Sequence, residues 1–315
     1  MHVVIFCGKG GVGKTISAAS LGVFLAGEGE KTLLIDCDGG HSVAISLGIK
    51  DAAAIPANTV YEIGSCLSIV VIDSPAYKNA LQIKAEGFDP DRYFKQFPGH
   101  LGLVALADAL LVFFGIPIDI PTLRKFAVLV EVLSGLDRQK FATIILDVEP
   151  TAGLERLLSH ADAMIRTLHN LRKRGTTLFA SIVLQWQDLG DYISGEYFEH
   201  IEEYSKDITS VVTILKKASY ILVCTPELGP VTQMFEVREI IRKFGGRVHG
   251  YVVNNVRGEA HEKNSIAPVR ALRAPRALIP RRNDLHAGRD TRPILLEIGK
   301  ALHDALWSKD ASSRR

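Results

Sequence analysis

Cysteine is scarce in this sequence. Only Cys7, Cys37, Cys66 and Cys224 occur among 315 residues, and no two of them form a C-x-x-C pair. This pattern argues against a disulfide framework and against a structural zinc site made within one chain, so no zinc is expected. Because three of the four cysteines lie in or beside apolar runs, we interpret them as buried thiols.

Neither sign of charge dominates the sequence. Lys and Arg number 37 and Asp and Glu number 35, which gives a formal net charge of +2. No global field therefore attracts nucleic acid or a membrane surface, and nucleic acid is not expected as a partner. One local exception is the segment 270–292, which holds seven arginines and two aspartates. It is consistent with a phosphate-binding patch and equally with a solvated loop.

One long apolar run occurs at 101–118, LGLVALADALLVFFGIPI. It is barely long enough to span a bilayer, and Asp108 and Pro117 count against a membrane span. We predict a buried helix or a helix that faces a hydrophobic partner. The sequence begins directly with a strand pattern and shows no secretory signal, so the expected location is the cytoplasm.

The sequence is rich in short apolar runs that are separated by helical patterns. These runs lie at 2–6, 32–35, 66–75, 141–150, 218–227, 246–256 and 276–280. Strands that alternate with helices predict an α/β fold with a mostly parallel sheet flanked by helices. Two long intervals, at about 85–135 and 152–217, predict a helical subdomain inserted at the ligand edge of a single domain over 1–315.

A phosphate-binding loop follows the first apolar run. Gly8–Thr15, GKGGVGKT, fits the pattern G-x-x-x-x-G-K-[ST]. The backbone N–H groups that would curl around phosphate oxygens belong to Gly8, Gly10, Gly11, Val12 and Gly13. Lys14 is expected to neutralise β- and γ-phosphate charge, and the Thr15 hydroxyl is expected to bind Mg²⁺. The sequence therefore predicts a nucleotide site at the end of the first strand.

A second lysine, Lys9, lies inside this loop, and the plain phosphate-loop pattern does not explain it. The stretch KGGVGKT resembles the deviant Walker A motif of the MinD/ParA/ArsA class of P-loop ATPases. The resemblance implies that Lys9 contacts phosphate across a homodimer and that ATP favours closure of that dimer. A cation from a partner subunit can stabilise charge on the transferring phosphoryl group. The simpler alternative is a solvated loop lysine.

Two further stretches resemble the switch segments of the arsenite-pump and tail-anchored-protein targeting ATPases. DCDGGH, at 36–41, is similar to their switch I, in which an Asp is followed three residues later by a His. By that resemblance Asp38 positions or activates the attacking water, and His41 is the matching histidine. The family's proline after the Asp is Gly39 here. ILDVEPTAGLERLL resembles switch II and implies that Asp147 holds Mg²⁺ through water.

The resemblance extends to the nucleotide base. The stretch CTPE is similar to a family motif and implies that Glu227 approaches the nucleotide. HGYVVNNV is similar to a second motif and implies that Asn254 hydrogen-bonds adenine. The last apolar run resembles the family's last strand and implies that the loop at Pro280 lies over the base. Ile16 replaces a second threonine that is common in the family. Loss of that hydroxyl near the α-phosphate predicts weaker nucleotide affinity.

The resemblance implies an ATP-hydrolysing homodimer that opens and closes with its nucleotide. We expect a targeting factor that shields hydrophobic tail-anchored membrane segments, because the apolar segment 101–133 suits such a client; a membrane receptor would be a further partner. An arsenite efflux pump ATPase is an alternative, but no cysteine in 67–223 supplies its thiolates. A MinD/ParA-like positioning ATPase and a slow nucleotide switch also remain open.

Overall fold

A computed structural model describes residues 1–38, 40–73, 120–137, 139–148, 153–155, 158–159, 196–282, 284 and 291–307. The apolar run 101–118 and most of the predicted helical subdomain lie outside these ranges, so that subdomain stays a prediction. The chain divides into two compact units. The first comprises Met1–Asp73, Asp137–Glu155 and Ile214–Arg315, and the second comprises Ser74–Leu136 and Arg156–Thr213.

The described residues form a single eight-stranded sheet. Its strands are β1 (His2–Gly8), β2 (Thr32–Asp36), β3 (Tyr61–Glu62), β4 (Leu67–Val71), β5 (Thr143–Asp147), β6 (Ser219–Cys224), β7 (Arg247–Val256) and β8 (Arg276–Pro280). Their order is β3-β4-β2-β5-β1-β6-β7-β8, and every neighbouring pair is parallel except β3 with β4. The predicted mostly parallel α/β fold is confirmed.

Each of the seven predicted runs overlaps one of these strands, and the short strand β3 was not predicted. Tyr61 and Glu62 are both exposed and pair antiparallel with the edge of β4. Two residues are too few to show the alternation that marks a strand. The run 66–75 is longer than its strand, because β4 ends at Val71 where its partner β2 also ends.

The central strands are buried on both faces. Every residue of β2, β4 and β5 is buried, and so are six of the seven residues of β1. Helices cover both faces of most parallel sheets, so successive residues of such a strand are all buried. This explains why the sequences of these strands are continuous apolar runs. At the sheet edge, β8 alternates between buried and exposed residues, as expected of a strand with one solvated face.

Seven helices have defined bounds in the described ranges, and residues 153–155 and 158–159 are also helical. The seven are α1 (Lys14–Gly27), α2 (Ser42–Ser46), α3 (Ile120–Gly135), α4 (Glu196–Lys217), α5 (Leu228–Phe244), α6 (Ala260–Arg270) and α7 (Arg292–Trp307), and a 3-10 turn spans Ala52–Ala54. The end of α1 agrees with the sequence pattern, which becomes polar after Gly27. Among these helices, none combines the length and the apolarity that crossing a bilayer requires.

Helix α1 packs against both the sheet and α7, and glycine permits the close packing of the two helices. A Cβ atom at Gly299 of α7 would lie 2.0 Å from the carbonyl oxygen of Ser20 and 2.6 Å from Cβ of Phe24. At its far end α7 is held by His249, whose Nε2–H donates to the Leu306 carbonyl at 3.0 Å and whose ring stacks on Trp307. The helix that begins in the phosphate loop is therefore supported along its length.

The close approach at Gly299 can be tested by adding one methyl group. In Gly299→Ala, α1 and α7 must move apart, and we expect the free energy of unfolding to fall by about 1–3 kcal/mol, the usual cost of overpacking. Gly27→Ala is the matched control, because its methyl group would meet Cδ1 of Leu296 at an ordinary 3.5 Å. Urea unfolding measures both variants. A Gly299→Ala protein as stable as wild type would contradict this packing.

Candidate nucleotide site

The phosphate loop joins β1 to α1 and depends on two sterically constrained glycines. A Cβ atom at Gly8 would lie 2.2 Å from the carbonyl oxygen of Val223, and one at Gly13 would lie 2.2 Å from Nδ2 of Asn254. Gly13 also has a φ of 94°, in the left-handed region that disfavours other residues. Only glycine therefore lets the loop pass this close to the ends of β6 and β7.

Lys14 is the first residue of α1, and its side chain turns back along the loop. It is 8% exposed, and its Nζ donates a hydrogen bond to the carbonyl oxygen of Lys9 at 3.1 Å. Burial lowers the pKa of Lys14, while the neighbouring carboxylates of Asp147 and Asp38 act in the opposite direction. A buried cation at a helix N-terminus is suited to holding an anionic group. The side chain of Lys9 itself is exposed.

Thr15 and Asp147 meet at the carboxyl end of the sheet. The Thr15 hydroxyl donates to Oδ2 of Asp147 at 2.6 Å, and the carboxylate, the last residue of β5, is 2% exposed. Burial raises the pKa of Asp147 to about 7; the Thr15 hydrogen bond and Lys14 lower it, and the charges of Asp36 and Asp38 raise it. The phosphate-loop hydroxyl and the switch II carboxylate are thus brought into direct contact.

The second oxygen of Asp147 suits a cation. Among the described residues nothing donates a hydrogen bond to its buried Oδ1. A buried carboxylate oxygen without a donor is costly, and a bound cation would satisfy it. No group of three or more His, Cys, Asp or Glu side chains in the described ranges is placed to hold a metal. Mg²⁺ needs no such cage, since it commonly takes one or two protein oxygens and completes its shell with water and phosphate.

The switch I residues follow β2, and an additional acid lies beside them. Asp38 is exposed, and His41 has a φ of 54° as the residue that precedes α2. Asp36, which was not predicted as a site residue, is fully buried and accepts hydrogen bonds from the backbone N–H groups of Asp38 and Val43. The stretch DCD shows both acids in the sequence but does not indicate which of them is buried.

Asn254 lies at the end of β7 and contacts the phosphate loop. Its Nδ2 donates to the carbonyl oxygen of Val12 at 3.0 Å, a contact that the sequence does not reveal. The other two residues predicted to lie near the base are Glu227 and Pro280. Glu227 is exposed and directly precedes α5, and Pro280 is the exposed last residue of β8. All three lie at carboxyl ends of parallel strands or just beyond them.

A buried acid organises the turn that follows Asn254. Glu262, in the first turn of α6, accepts hydrogen bonds from the backbone N–H groups of Arg257, Gly258 and Glu259. These donors lower the pKa of Glu262 against the opposing effect of burial. The spacing Glu259-x-x-Glu262 forms a capping box, and although this spacing is visible in the sequence, neither acid was predicted to have a role.

Sequence comparisons agree with this geometry. Residues 1–275 match the family described as anion-transporting ATPase. The protein "ATPase ASNA1 homolog 2" of Paramecium tetraurelia is 26% identical over 260 residues, which cover 79% of this chain and 74% of that protein. "ATPase GET3C" of Arabidopsis thaliana is 24% identical over 297 residues, 88% of this chain and 72% of that one. "ATPase GET3" of Malassezia globosa is 26% identical over 261 residues, 80% and 72% of the two chains.

The family match covers the phosphate loop, both switch segments and all of the strands except β8. It therefore includes the structural elements that bring Lys14, Thr15 and Asp147 together. Together these findings show that the chain is a member of the ArsA or anion-transporting ATPase family, a family of ATP-hydrolysing enzymes.

Proposed function

We propose that this ATPase works as a homodimer that opens and closes with its nucleotide, and that the closed form shields hydrophobic tail-anchored membrane segments. The observation that carries the proposal is the position of Lys9. Its carbonyl oxygen binds Lys14 inside the site, while its side chain is exposed at the edge of the same loop. An exposed cation beside a phosphate site is suited to reach the nucleotide of a second subunit.

The roles in phosphate chemistry follow the contacts of the loop. Lys14 neutralises the β- and γ-phosphates, and backbone N–H groups of residues 8–16 cradle them. Asp38 positions or activates the attacking water, since its charge is close enough to favour the charged form of Lys14. Thr15 and Asp147 would hold Mg²⁺, with Asp147 acting through a water. Mg²⁺ bound there supplies positive charge to the phosphate oxygens.

The base-side roles rest on the family resemblance and on the edge positions of three residues. Asn254 hydrogen-bonds adenine, Glu227 approaches the nucleotide and the loop at Pro280 lies over the base. The contact between Asn254 and Val12 adds a physical link, because it ties the residue proposed to read the base to the loop proposed to hold the phosphates. Base recognition and loop geometry are then coupled through one side chain.

The client is inferred from hydrophobicity. The run 101–118 contains a single charged residue, Asp108, and suits a surface that covers an apolar helix. The resemblance to tail-anchored-protein targeting ATPases supports the same client class, and a membrane receptor would accept the client on release. We expect the protein to act in the cytoplasm.

The cysteines favour this function over arsenite export. Cys7, Cys37 and Cys224 are buried, and Cys66 alone is partly exposed. Burial raises the pKa of Cys224 to about 12 and raises that of Cys7 as well. Because the thiolate is the form that binds a soft metalloid, these thiols are poor ligands.

The arginine-rich segment also has a structural explanation in part. Arg282 forms two-point hydrogen bonds with the carboxylates of Asp284 and Glu297, at 2.8 to 3.1 Å. A guanidinium that is shared by two carboxylates has few donors left for a phosphate backbone. This favours the solvated-loop interpretation at Arg282 over a nucleic-acid patch.

The dimer and the client can be tested in one experiment. Light scattering after size exclusion, with a transmembrane-helix peptide present, should show that ATP and Mg²⁺ convert monomers into dimers that carry the peptide. Lys9→Ala should raise the dimer dissociation constant about 10-fold or more, because a cross-subunit charge contact is lost. Asp38→Asn should trap the dimer, and Lys140→Ala, an exposed lysine elsewhere, is the matched control. An ATP-insensitive species that ignores the peptide would refute the proposal.

The magnesium site predicts a defect in metal affinity. Asp147→Asn removes the negative charge of a carboxylate whose Oδ1 accepts no hydrogen bond from the described residues. We expect the Mg²⁺ concentration at half-maximal hydrolysis to rise about 10-fold or more, as is usual when a group that orients a metal is lost. Asp137→Asn, which changes an exposed carboxylate, is the control. Unchanged Mg²⁺ dependence in titrations of the hydrolysis rate would exclude this role of Asp147.

Substitutions at Ile16 test whether the threonine hydroxyl that this chain lacks affects nucleotide affinity. Ile16 is partly buried and packs against the core, and Thr fits the same space. Ile16→Thr should tighten ATP binding about 2- to 10-fold, the effect of one added hydrogen bond. Ile16→Val has the shape of Thr without the hydroxyl, so the difference between the two variants isolates that group. Equal affinities in a fluorescent-nucleotide titration would show that the hydroxyl is irrelevant here.

A further inference from the structure

Asp36 has no part in the roles assigned so far, although it is one of the best-fixed residues near the site. It is the last residue of β2 and is 0% exposed. Its backbone is in register with Val71 of β4 on one side and with Asp147 of β5 on the other. The sheet therefore fixes the backbone of Asp36 from both sides.

This single carboxylate binds both ends of the loop formed by residues 38–43. Oδ1 accepts a hydrogen bond from the backbone N–H of Asp38 at 3.1 Å. Oδ2 accepts from the backbone N–H of Val43 at 3.0 Å and from the Ser42 hydroxyl at 3.2 Å. Asp38 is the first residue of this segment and Val43 lies in the first turn of α2, so the two oxygens bind the segment at its start and at its end.

A structural cap alone does not explain an acid at this position. Burying a carboxylate near other carboxylates is unfavourable, and the charge of Asp36 is one of the causes that raise the pKa of Asp147. Short neutral side chains such as Ser or Asn cap helices at no such cost. However, Ser and Asn each offer a single acceptor oxygen, whereas here the two backbone N–H groups bind two different oxygens of the carboxylate. The carboxylate is needed if both ends must be held together.

We propose that Asp36 is a positioning residue that holds the 38–43 loop and thereby keeps Asp38 beside Lys14 and Asp147. The inference rests on the proposed role of Asp38 in activating water, and it assigns to Asp36 the task of fixing where Asp38 begins. Asp36 acts through Asp38 and does not itself contact the nucleotide. Its loss should therefore slow hydrolysis at saturating ATP and leave nucleotide binding nearly intact.

Asp36→Asn tests this, because Asn keeps one acceptor oxygen and can hold only one end of the loop. We expect kcat to fall about 10- to 100-fold, the effect of misplacing a reacting group by about 1 Å. The Kd for ATP should change less than about threefold, since binding does not depend on the attacking water. Equal losses in kcat and ATP affinity, or an unchanged kcat, would overturn the inference.

Two further variants separate positioning from folding. Ser42→Ala removes one hydrogen bond from the same carboxylate and leaves both backbone hydrogen bonds in place, so we expect less than about a threefold change in kcat. The side chain of Asp36→Ser is too short to reach both ends of the segment, so this variant should reproduce the effect of Asp36→Asn. It replaces Asp36→Asn in the kinetic test if that variant does not fold. Thermal unfolding curves identify folded proteins before any kinetic comparison is made.

The decisive measurement is a double-mutant cycle with Asp38→Asn. If Asp36 acts through Asp38, the double variant should hydrolyse ATP within about twofold of the rate of Asp38→Asn alone. A further loss as large as that of Asp36→Asn in the wild-type background would show that Asp36 acts independently and would overturn the inference. A wild-type protein that binds ATP without hydrolysing it, or an Asp38→Asn variant with full activity, would instead overturn the proposed role of Asp38.

Discussion

The register of the three parallel strands β1, β5 and β2 determines where the phosphate side of the candidate site lies. Asp147 of β5 pairs with Phe6 of β1 on one side and with Asp36 of β2 on the other. The phosphate loop and the switch I segment therefore begin at the same edge of the sheet, which is also where the switch II carboxylate of Asp147 lies. A slip of one residue in either ladder would turn Asp147 away from Thr15, because successive side chains point to opposite faces. Burial of both faces of these strands makes such a slip costly.

Burial also sets the electrostatics that a nucleotide would meet. The pKa of Lys14 is lowered and that of Asp147 is raised, in both cases mainly by loss of solvent. Each shift means that burial disfavours the charged form of the side chain. A phosphate beside Lys14 and a cation beside Asp147 would restore the charged forms together. Both shifts thus suit the metal–nucleotide complex that the proposed function requires, and the burial that causes them follows from where the strands end.

The sequence reveals the parts of this site that depend on local pattern. The phosphate loop, the apolar strands and the acids that follow them are visible as short motifs, and the fold was predicted from their alternation. The contact of Asn254 with Val12 joins residues 242 positions apart and leaves no local trace. The choice between Asp36 and Asp38 was equally hidden, because a strand pattern predicts that acids follow the strand and does not say which acid is buried. Which acid is buried depends on how far the neighbouring strands β4 and β5 extend beside β2.

The switch I segment is anchored at both of its ends. On one side Asp36 anchors it to the sheet, and on the other α2 is tied to the start of α7 by a hydrogen bond from the Thr291 hydroxyl to the Ser46 carbonyl at 3.2 Å. Helix α7 packs in turn on α1, which begins with Lys14. Between these anchors the sequence has Gly39 where the resembling ATPases have proline. Proline restricts the backbone covalently. Here the Asp36 carboxylate supplies a restraint of another kind, through its hydrogen bonds to the backbone N–H groups of Asp38 and Val43.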